Sequence, residues 1–296
     1  MNNLIEVDEL HEESRRQDPE LVIVSVMPRW RYWLGHVPGS SQVWRPRLSA
    51  PGSSRLIDAS GFSRWARSLG LHNNSKIVLI DEPYDAIRLW WAFQHYGHPQ
   101  VRVLNGGLQA WRQAGLPTRS GPQPGDPGRR KHATEHHRTP TGTFQTRSSV
   151  GFAIATNDEI WKARNQDHIQ LWDARDQEEW SGRKRLRGAR RAGRIPWSRH
   201  LCWRQFRQGD GDGTAFRSDA ELAALVDRHG VDPGKDQVVY CQSGVRSTTM
   251  LFALARLGWA PERLLNHDGS WREWSRNPTN PILNDADRAA RGENAG

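Results

Sequence analysis

The chain has 296 residues, of which 36% are hydrophobic, and its formal net charge is +9. That length is typical of two domains of ordinary size, and the sequence contains no run of about 18 apolar residues, which excludes a membrane-spanning helix. The first six residues lack the basic start and the apolar stretch of a secretory signal, so we expect a cytoplasmic protein that does not bind membranes.

The first part of the chain alternates between segments that predict strands and segments that predict helices. The short apolar, β-branched runs that indicate buried strands are residues 21–24, 76–81 and 101–104. The segments with apolar residues at helical spacing are residues 4–14, 62–69, 86–96 and 106–111. This order predicts an α/β domain over residues 1–116, with a mostly parallel sheet flanked by helices.

The composition changes over residues 117–143, which contain five prolines together with glycine and basic residues. Such a segment predicts a linker. His132, His136 and His137 lie within it. No cysteine or carboxylate accompanies them at zinc-like spacing, so we predict no metal site there.

The second part of the chain repeats the alternation and predicts another α/β domain over residues 144–284. The predicted strands are residues 169–172 and 237–240, and the predicted helices are residues 157–164, 221–229 and 247–257. Asn157 is the expected N-cap of its helix. We expect residues 285–296 to form a disordered tail.

A basic run lies between the strand and helix of this second part. Residues 183–199 contain eight basic side chains and no acidic one: Arg183, Lys184, Arg185, Arg187, Arg190, Arg191, Arg194 and Arg199. The run is either a surface that attracts anions, RNA or an acidic protein, or a solvated loop of a basic protein. No nucleic-acid-binding module accompanies it, so we do not predict nucleic acid as the partner.

The chain has two cysteines, and their surroundings differ. Cys241 lies between a predicted strand and a predicted helix, where unpaired backbone N–H groups and the helix dipole favour an anion. Arg246 adds a full positive charge, and these surroundings lower the pKa of a thiol and produce a nucleophile. Cys202 lacks that setting, so we interpret it as structural, and we expect no disulfide in a reducing compartment.

The segment Cys241-Gln242-Ser243-Gly244-Val245-Arg246-Ser247 resembles the active-site loop of rhodanese-type sulfurtransferases. The segment Gly269-Ser270-Trp271-Arg272-Glu273-Trp274 resembles the one that follows in the two-domain members. The resemblance implies that Cys241 carries a persulfide sulfur between a donor and an acceptor, without a metal or organic cofactor. It implies that the loop residues Gln242, Ser243, Gly244, Val245, Arg246 and Ser247 bind the substrate.

The two halves of the chain match each other at three places. The strand before Asp81 matches the strand before Cys241, and residues 106–111 match residues 269–274. Residues 35–38 likewise match residues 193–196. The fold implied by the resemblance is therefore two tandem rhodanese-like domains. Because a carboxylate at Asp81 cannot carry sulfane sulfur, we expect the first domain to be non-catalytic and to form one wall of the cleft.

Other site residues follow from the resemblance. Asp173 and Arg175 match an Asp-x-Arg motif and are expected to lie near the cysteine loop and order it by hydrogen bonds, although a turn with an ordinary ion pair remains the alternative. Arg194 stands where the family usually has histidine. Arg194 and Arg183 are therefore candidates for binding an anion. Among the fifteen tryptophans, Trp197, Trp203 and Trp271 are candidates for lining the cleft.

The choice of donor lies between thiosulfate and 3-mercaptopyruvate. In the mercaptopyruvate branch a second arginine follows the motif aspartate by six residues, and here that position is Glu179. A carboxylate donor facing Glu179 would meet like charge. Arg246, with Arg183 or Arg194, could instead bind a compact dianion. We therefore predict thiosulfate as the donor, with cyanide, a thiol or thioredoxin as the acceptor, and a monomeric enzyme.

Two other classes of function remain as alternatives. Cysteine phosphatases use a similar loop with five residues between cysteine and arginine, whereas only four separate Cys241 from Arg246. The shorter loop is tight for a phosphate ester. A non-catalytic binding module is the other alternative, but it leaves the setting of Cys241 unexplained.

Overall fold

The structure, a computed structural model, describes residues 3–81, 85–122, 142–148, 151–209 and 215–290, without the side chains of Asp81 and residues 288–290. The strands are β1 (Leu4–Ile5), β2 (Leu21–Val26), β3 (Ser41–Val43), β4 (Lys76–Asp81), β5 (Val101–Leu104), β6 (Ile154–Ala155), β7 (Ile169–Asp173), β8 (Arg199–His200), β9 (Asp236–Tyr240) and β10 (Leu264–His267). The helices are α1 (Val7–Arg15), α2 (Arg29–Leu34), α3 (Ala59–Ser68), α4 (Asp85–His95), α5 (Gly107–Gln113), α6 (Asn157–Lys162), α7 (Gln177–Trp180), α8 (Asp219–Arg228), α9 (Ser247–Arg256), α10 (Ser270–Trp274) and α11 (Asp285–Ala290).

Each half of the chain forms a five-stranded sheet, with strand orders β1-β5-β4-β2-β3 and β6-β10-β9-β7-β8. All paired strands are parallel. The predicted fold class, two tandem α/β domains, is confirmed. Because the strands are parallel, their carboxyl ends share one edge of each sheet, and the loops after the central strands β4 and β9 lie at the middle of that edge. No helix in the described ranges is long and apolar enough to cross a bilayer.

Three secondary-structure predictions differ from the structure. Residues 4 and 5, expected in a helix, form β1, because they pair with Val103 and Leu104 of β5. The N-cap of α6 is Thr156 rather than Asn157, because Thr156 and Glu159 form a reciprocal capping box. Strand β10 was not predicted, since its second half is Asn-His.

The boundary near residue 144 differs from the prediction. Phe144, expected to begin the second domain, is buried in the first, where its ring lies 6.0 Å from Phe62 and 5.9 Å from Phe93 between centroids. The backbone N–H of Phe144 also donates to the carbonyl of Leu71 at 3.0 Å. The three linker histidines, His132, His136 and His137, fall outside the described residues.

The segment expected to be a disordered tail begins with helix α11. Its first residue, Asp285, accepts two hydrogen bonds from Arg194 at 2.7 and 2.8 Å. A bidentate arginine–carboxylate pair of this kind fixes geometry as well as charge. The start of the tail is therefore attached to the second domain.

A hydrophobic cluster at the domain boundary contains residues of both domains. Helices α4 and α9 pack against each other across the boundary, and Trp90 of α4 contacts Phe252 of α9 with ring centroids 4.7 Å apart. One buried apolar cluster contains residues of both sheets, from Leu4 to Leu264. The first domain thus supports α9, the helix that follows the Cys241 loop.

Candidate active site

The cysteine loop, residues 241–246, connects the central strand β9 to helix α9, and Cys241 is 1% exposed. Gly244 adopts φ +75°, and a Cβ at this position would lie 2.5 Å from the carbonyl oxygen of Asp268. Only glycine allows both the left-handed backbone and this close approach. The loop is therefore pressed tightly against the segment that follows β10.

The side chain of Ser270 is hydrogen-bonded to the backbone of the cysteine loop. The sequence did not indicate this role. Its hydroxyl oxygen accepts hydrogen bonds from the N–H groups of Cys241 and Gly244, both at 3.0 Å, and its hydroxyl donates to the carbonyl of His267 at 2.6 Å. The residue is fully buried and has φ +50°, a costly conformation for a residue with a side chain. Its position in the family-like segment Gly269-Ser270-Trp271 was the one available signal.

The surroundings of the Cys241 sulfur favour its thiolate. Burial raises the pKa of the thiol, but the charge of Arg246, the hydroxyl of Ser247 and the backbone N–H groups of Ser243 and Ser247 outweigh burial and lower the pKa. The Ser247 hydroxyl lies 3.6 Å from Sγ and 2.6 Å from Asn266 Oδ1, and its single proton is donated to one of these two acceptors at a time. These are the groups that make a buried cysteine nucleophilic.

Arg246 is paired with two carboxylates, which alters the predicted charge of the site. Its guanidinium donates to Glu179 at 2.6 and 2.9 Å and to Asp176 at 3.4 Å. Glu179 is 2% exposed and therefore does not face open substrate space as expected. Burial lowers the pKa of Arg246, but Glu179, the Cys241 thiolate and Asp176 raise it above its ordinary value. Arg246 stays charged, while the carboxylates offset much of its field.

Among the remaining loop residues, Ser243 contributes its backbone N–H to the Cys241 sulfur. The Gln242 amide donates to the carbonyl of Arg187 at 3.4 Å, which turns it toward the basic run. The carbonyl of Val245 accepts from the hydroxyl of Thr248 at 2.6 Å. Ser243 is half-buried at the loop surface. The anion-binding character of the loop therefore comes from its N–H groups and from the N-terminus of α9.

Asp173 and Arg175 form a buried ion pair behind the loop. The Arg175 guanidinium donates to both oxygens of Asp173, at 2.6 to 3.1 Å, and to the carbonyl of Gly193 at 2.8 Å. It also lies 4.5 Å from the centroid of the Trp271 ring. The backbone N–H of Trp271 donates to the carbonyl of Cys241 at 2.9 Å. The pair thus touches the loop through one intermediate residue.

The structure does not bring Arg194 and Arg183 together with Cys241. Arg194 is buried against Asp285 and lies 3.7 Å from the centroid of the Trp180 ring, which corrects its expected role in binding an anion. Arg183 is exposed on the surface.

The basic run lies beside the cysteine loop through Arg187, and it is anchored by Arg191. The Arg191 guanidinium donates to the carbonyls of Ser275 at 3.0 Å and Asn280 at 2.9 Å. The run is therefore attached to the second domain along its length, with Arg183, Lys184, Arg185, Arg187 and Arg190 exposed.

Cys202 and the three candidate cleft tryptophans have different surroundings. Burial and the neighbouring Asp176 raise the pKa of the Cys202 thiol to about 12, so it stays protonated. Trp271 and Trp203 are buried, whereas Trp197 is half-buried with its ring centroid 5.3 Å from that of Trp161. Of these tryptophans, Trp271 contacts the cysteine loop, through its backbone N–H and the Cys241 carbonyl.

Comparison with known proteins identifies the class that this fold and loop define. The sequence profile described as "Rhodanese-like domain" matches residues 6–114 and 156–277, which together are more than half of the chain. The chain therefore belongs to the rhodanese-like family, as its motifs predicted. It is a sulfurtransferase of the two-domain type, with a sulfur donor and a sulfur acceptor as partners.

Two relatives that are similar to this chain along most of their length have names that refer to sulfur transfer or sulfur carriage. The chain is 32% identical over 273 residues to "Putative thiosulfate sulfurtransferase 1" of Mycobacterium bovis, covering 88% of this chain and 91% of that protein. It is 29% identical over 263 residues to "Sulfur carrier protein TtuD" of Thermus thermophilus, covering 82% and 83%.

Solved structures show the same fold at lower identity. The 3-mercaptopyruvate sulfurtransferase SseA from Escherichia coli superposes with a TM-score of 0.73 at 23% identity, over 92% of this chain and 99% of that one. The anaerobic ergothioneine biosynthesis enzyme from Chlorobium limicola superposes with a TM-score of 0.79 at 22% identity, over 96% and 70%. At these identities the likeness establishes the fold alone.

Proposed function

We propose that this protein transfers the outer sulfur of thiosulfate, through a persulfide on Cys241, to cyanide or a thiol acceptor. The observation that carries the proposal is the setting of Cys241, whose thiol pKa is lowered although it is fully buried. The relatives named as thiosulfate sulfurtransferases support the donor.

The first half of the reaction loads the cysteine. The Cys241 thiolate attacks the outer sulfur of thiosulfate, a bond forms between the two sulfurs, and the sulfur–sulfur bond of the donor breaks. Sulfite leaves with the electron pair, and the anionic persulfide remains on the enzyme. The N–H groups of Ser243 and Ser247, which already point at Sγ, stabilise this charge as an oxyanion hole stabilises oxygen.

The second half restores the thiolate. A nucleophile such as cyanide attacks the terminal sulfur of the persulfide, takes it as thiocyanate, and leaves the Cys241 thiolate behind. The charges balance without a proton transfer, and no metal or organic cofactor is needed for either half.

The size and charge of the site favour a compact donor. Cys241 is 1% exposed, so a donor must bring its sulfur into a narrow opening. Arg246 shares its charge with Glu179 and Asp176. A carboxylate such as that of 3-mercaptopyruvate would therefore find no unpaired arginine at this point of the described loop, and a thiosulfate dianion would depend on the backbone N–H groups instead. 3-Mercaptopyruvate remains the second candidate, because the solved structure of SseA shares the fold.

The two cysteines provide a matched test of the proposal. Cys241→Ser should abolish turnover with thiosulfate and cyanide, because a buried hydroxyl does not form a persulfide, whereas Cys202→Ser should keep most of it. Thiocyanate formation measures both variants. Turnover by Cys241→Ser, or loss of turnover in a well-folded Cys202→Ser, would contradict the assignment.

The donor is tested in the same assay. We expect kcat/KM to be higher for thiosulfate than for 3-mercaptopyruvate. A tenfold preference for 3-mercaptopyruvate would replace thiosulfate as the donor without affecting the role of Cys241. Hydrolysis of a phosphate ester without sulfur transfer would instead indicate the phosphatase alternative.

A further inference from the structure

The first domain contributes one buried charge to the back of the cysteine loop. Arg88 projects from α4, and its side chain is 5% exposed. Its Nη1 donates to the carbonyl of Gly244 at 3.1 Å, and its Nη2 pairs with Asp268. The guanidinium lies 4.5 Å from the centroid of the Trp91 ring. A charge this deeply buried is retained in a fold when each of its hydrogen bonds has a partner.

The contacts of Arg88 continue on both sides of the domain boundary. Asp268 also accepts a hydrogen bond from the backbone N–H of Leu56 at 2.6 Å. The Gly244 carbonyl accepts a second hydrogen bond, from Asn266 at 3.1 Å. Two donors therefore hold one carbonyl in the middle of the loop. Because a trans peptide is planar, the next N–H, that of Val245, is fixed on the opposite side from Arg88.

We propose that Arg88 is a positioning residue for sulfur transfer, through which the non-catalytic domain sets the orientation of the cysteine loop. It fixes the Gly244 peptide, and that peptide lies between Ser243 and Ser247, whose N–H groups point at Sγ. The proposal rests on the function proposed above for Cys241. The first domain then affects the reactivity of Cys241 in addition to forming one side of the cleft.

The test uses the reactivity of Cys241, which requires no sulfur donor. Alkylation by iodoacetamide against pH gives the thiol pKa, and thiosulfate turnover gives kcat and KM. In Arg88→Gln we expect the alkylation profile to move to higher pH and kcat to fall about tenfold with a smaller change in KM. Arg88→Lys should recover part of this loss, because one ammonium can still reach one of the two acceptors.

Two controls separate positioning from other effects. Arg55→Gln removes a different ion pair across the same boundary, with Glu273, that does not touch the loop, and it should leave the alkylation profile unchanged. Arg88→Gln combined with Asp268→Asn removes both charges of the buried pair. If the profile returns to that of the wild type in the double variant, the shift came from the uncompensated Asp268, and positioning is overturned.

The remaining outcomes are also decisive. Arg88→Gln with a wild-type profile and wild-type kcat would make Arg88 an interface residue and overturn the proposal. If Arg88→Gln does not fold, Arg88→Lys alone decides, with an intermediate shift in support and no shift against. A wild-type protein that transfers no sulfur, but whose alkylation profile depends on Arg88, would refute the proposed function and leave the positioning intact.

A second observation, independent of the first, concerns the surface of the first domain. Four of the five large hydrophobic residues exposed in the described part of the chain belong to the first domain: Trp30, Trp33, Leu34 and Trp44. Three of them, Trp30, Trp33 and Trp44, line a cavity of about 490 Å³ with Arg29, Arg47, Pro28 and Gln42, here called the tryptophan pocket. Exposed apolar clusters of this kind mark interaction sites.

The charge of the tryptophan pocket selects its ligand. No acidic residue is among its lining residues, and within the described ranges neither Arg29 nor Arg47 is paired with a carboxylate. Indole rings stack on any nucleobase, and arginine binds phosphate in a planar, bidentate manner. The volume lies within the usual range of ligand pockets. A ligand with a planar ring beside an anionic group satisfies both sets of side chains.

We propose that the tryptophan pocket binds a free nucleotide, a nucleobase with its phosphate. Fluorescence anisotropy of labelled AMP, with a short oligoadenylate as competitor, measures binding. Trp30→Ala and Trp44→Ala should each weaken binding about tenfold, whereas Trp161→Ala, an exposed tryptophan of the second domain, should not.

The contribution of the two pocket arginines to binding is tested separately, with a control. Arg29→Gln and Arg47→Gln should reduce the salt dependence of binding, and Arg64→Gln, exposed elsewhere on this domain, should not. Binding of AMP supports the proposal, whereas binding of the oligoadenylate without binding of AMP would overturn it in favour of RNA. Equal affinity in all variants would overturn the proposal, as would a wild-type dimer that Trp30→Ala converts to a monomer, because a second copy would then cover the pocket.

Discussion

The pairing of Glu179 with Arg246 changes the role that the sequence predicts for each residue. From the sequence, Glu179 repels an anionic donor and Arg246 attracts one. In the structure the two form a bidentate pair of 2.6 and 2.9 Å beside Cys241. Arg246 still lowers the pKa of the Cys241 thiol, so the pair sets the charge of the nucleophile rather than acting on the donor alone.

Opposite shifts are therefore expected from the two partners. The thiolate is the reactive form, so kcat/KM rises as pH increases through the thiol pKa. Arg246→Gln removes the charge that lowers this pKa and should move the rise to higher pH by about one unit. Glu179→Gln removes the charge that offsets Arg246 and should move it to lower pH. The pH profile of thiosulfate turnover measures both, and shifts in the same direction would contradict the coupling.

At the scale of elements, the start of helix α8 is stabilised by contacts that are local in the chain. Ser218 and Glu221 form a capping box, in which the serine hydroxyl accepts from the Glu221 N–H at 3.3 Å and the carboxylate accepts from the Ser218 N–H at 2.9 Å. These contacts satisfy N–H groups that an α-helix leaves unpaired at its start. The buried face of α8, Leu222, Leu225 and Val226, then packs into the shared core.

Loss of this cap has a defined cost. Ser218→Ala should lower the free energy of unfolding by about 1 kcal/mol, without changing turnover, since the helix start does not contact the cysteine loop. Chemical denaturation compares it with Ser68→Ala, whose hydroxyl bonds a carbonyl within the last turn of α3 and should matter less. An equal decrease in the free energy of unfolding for the two variants would show that the capping hydroxyl of Ser218 stabilises the protein no more than the Ser68 hydroxyl does.

At the scale of the whole molecule, the two domains are continuous at their core. Trp90 of α4 packs between Phe152 and Phe252 of the second half, with ring centroids 5.1 and 4.7 Å away. Arg88 and Asp268 form a buried ion pair across the same boundary. Separation of the domains would expose aromatic surface to water, and in a partly open interface it would leave the charges of Arg88 and Asp268 buried without their partners.

We therefore expect the protein to unfold in one transition. Thermal unfolding followed by calorimetry, by tryptophan fluorescence and by residual turnover should give coincident curves. Trp90→Ala should lower the Tm of this single transition, because large-to-small changes in a core leave a cavity. Two resolved transitions in the wild type would show that the domains are separate units.

Much of the fold could be predicted from the sequence because its signals are local. Apolar β-branched runs gave β2, β4, β5, β7 and β9, and helical spacing with stop signals gave α3, α4, α8 and α9, within a few residues. The loop from Cys241 to Ser247 identified the family, since strand, glycine, arginine and helix start follow one another in the chain. The repeat of these patterns predicted two domains.

The remaining features depend on contacts between residues far apart in the chain, for which spacing carries no signal. Leu4 and Ile5 became a strand by pairing with β5, and Phe144 joined the first domain because an aromatic cluster there encloses it. Ser270, Asp268 and Arg88 meet Gly244 only in the folded chain. The sequence by itself determined which cysteine lies in the family's active-site loop, because a strand, a loop and a helix start are local. The tertiary structure decided what holds that loop, because burial and ion pairing exist only once the two domains have packed together.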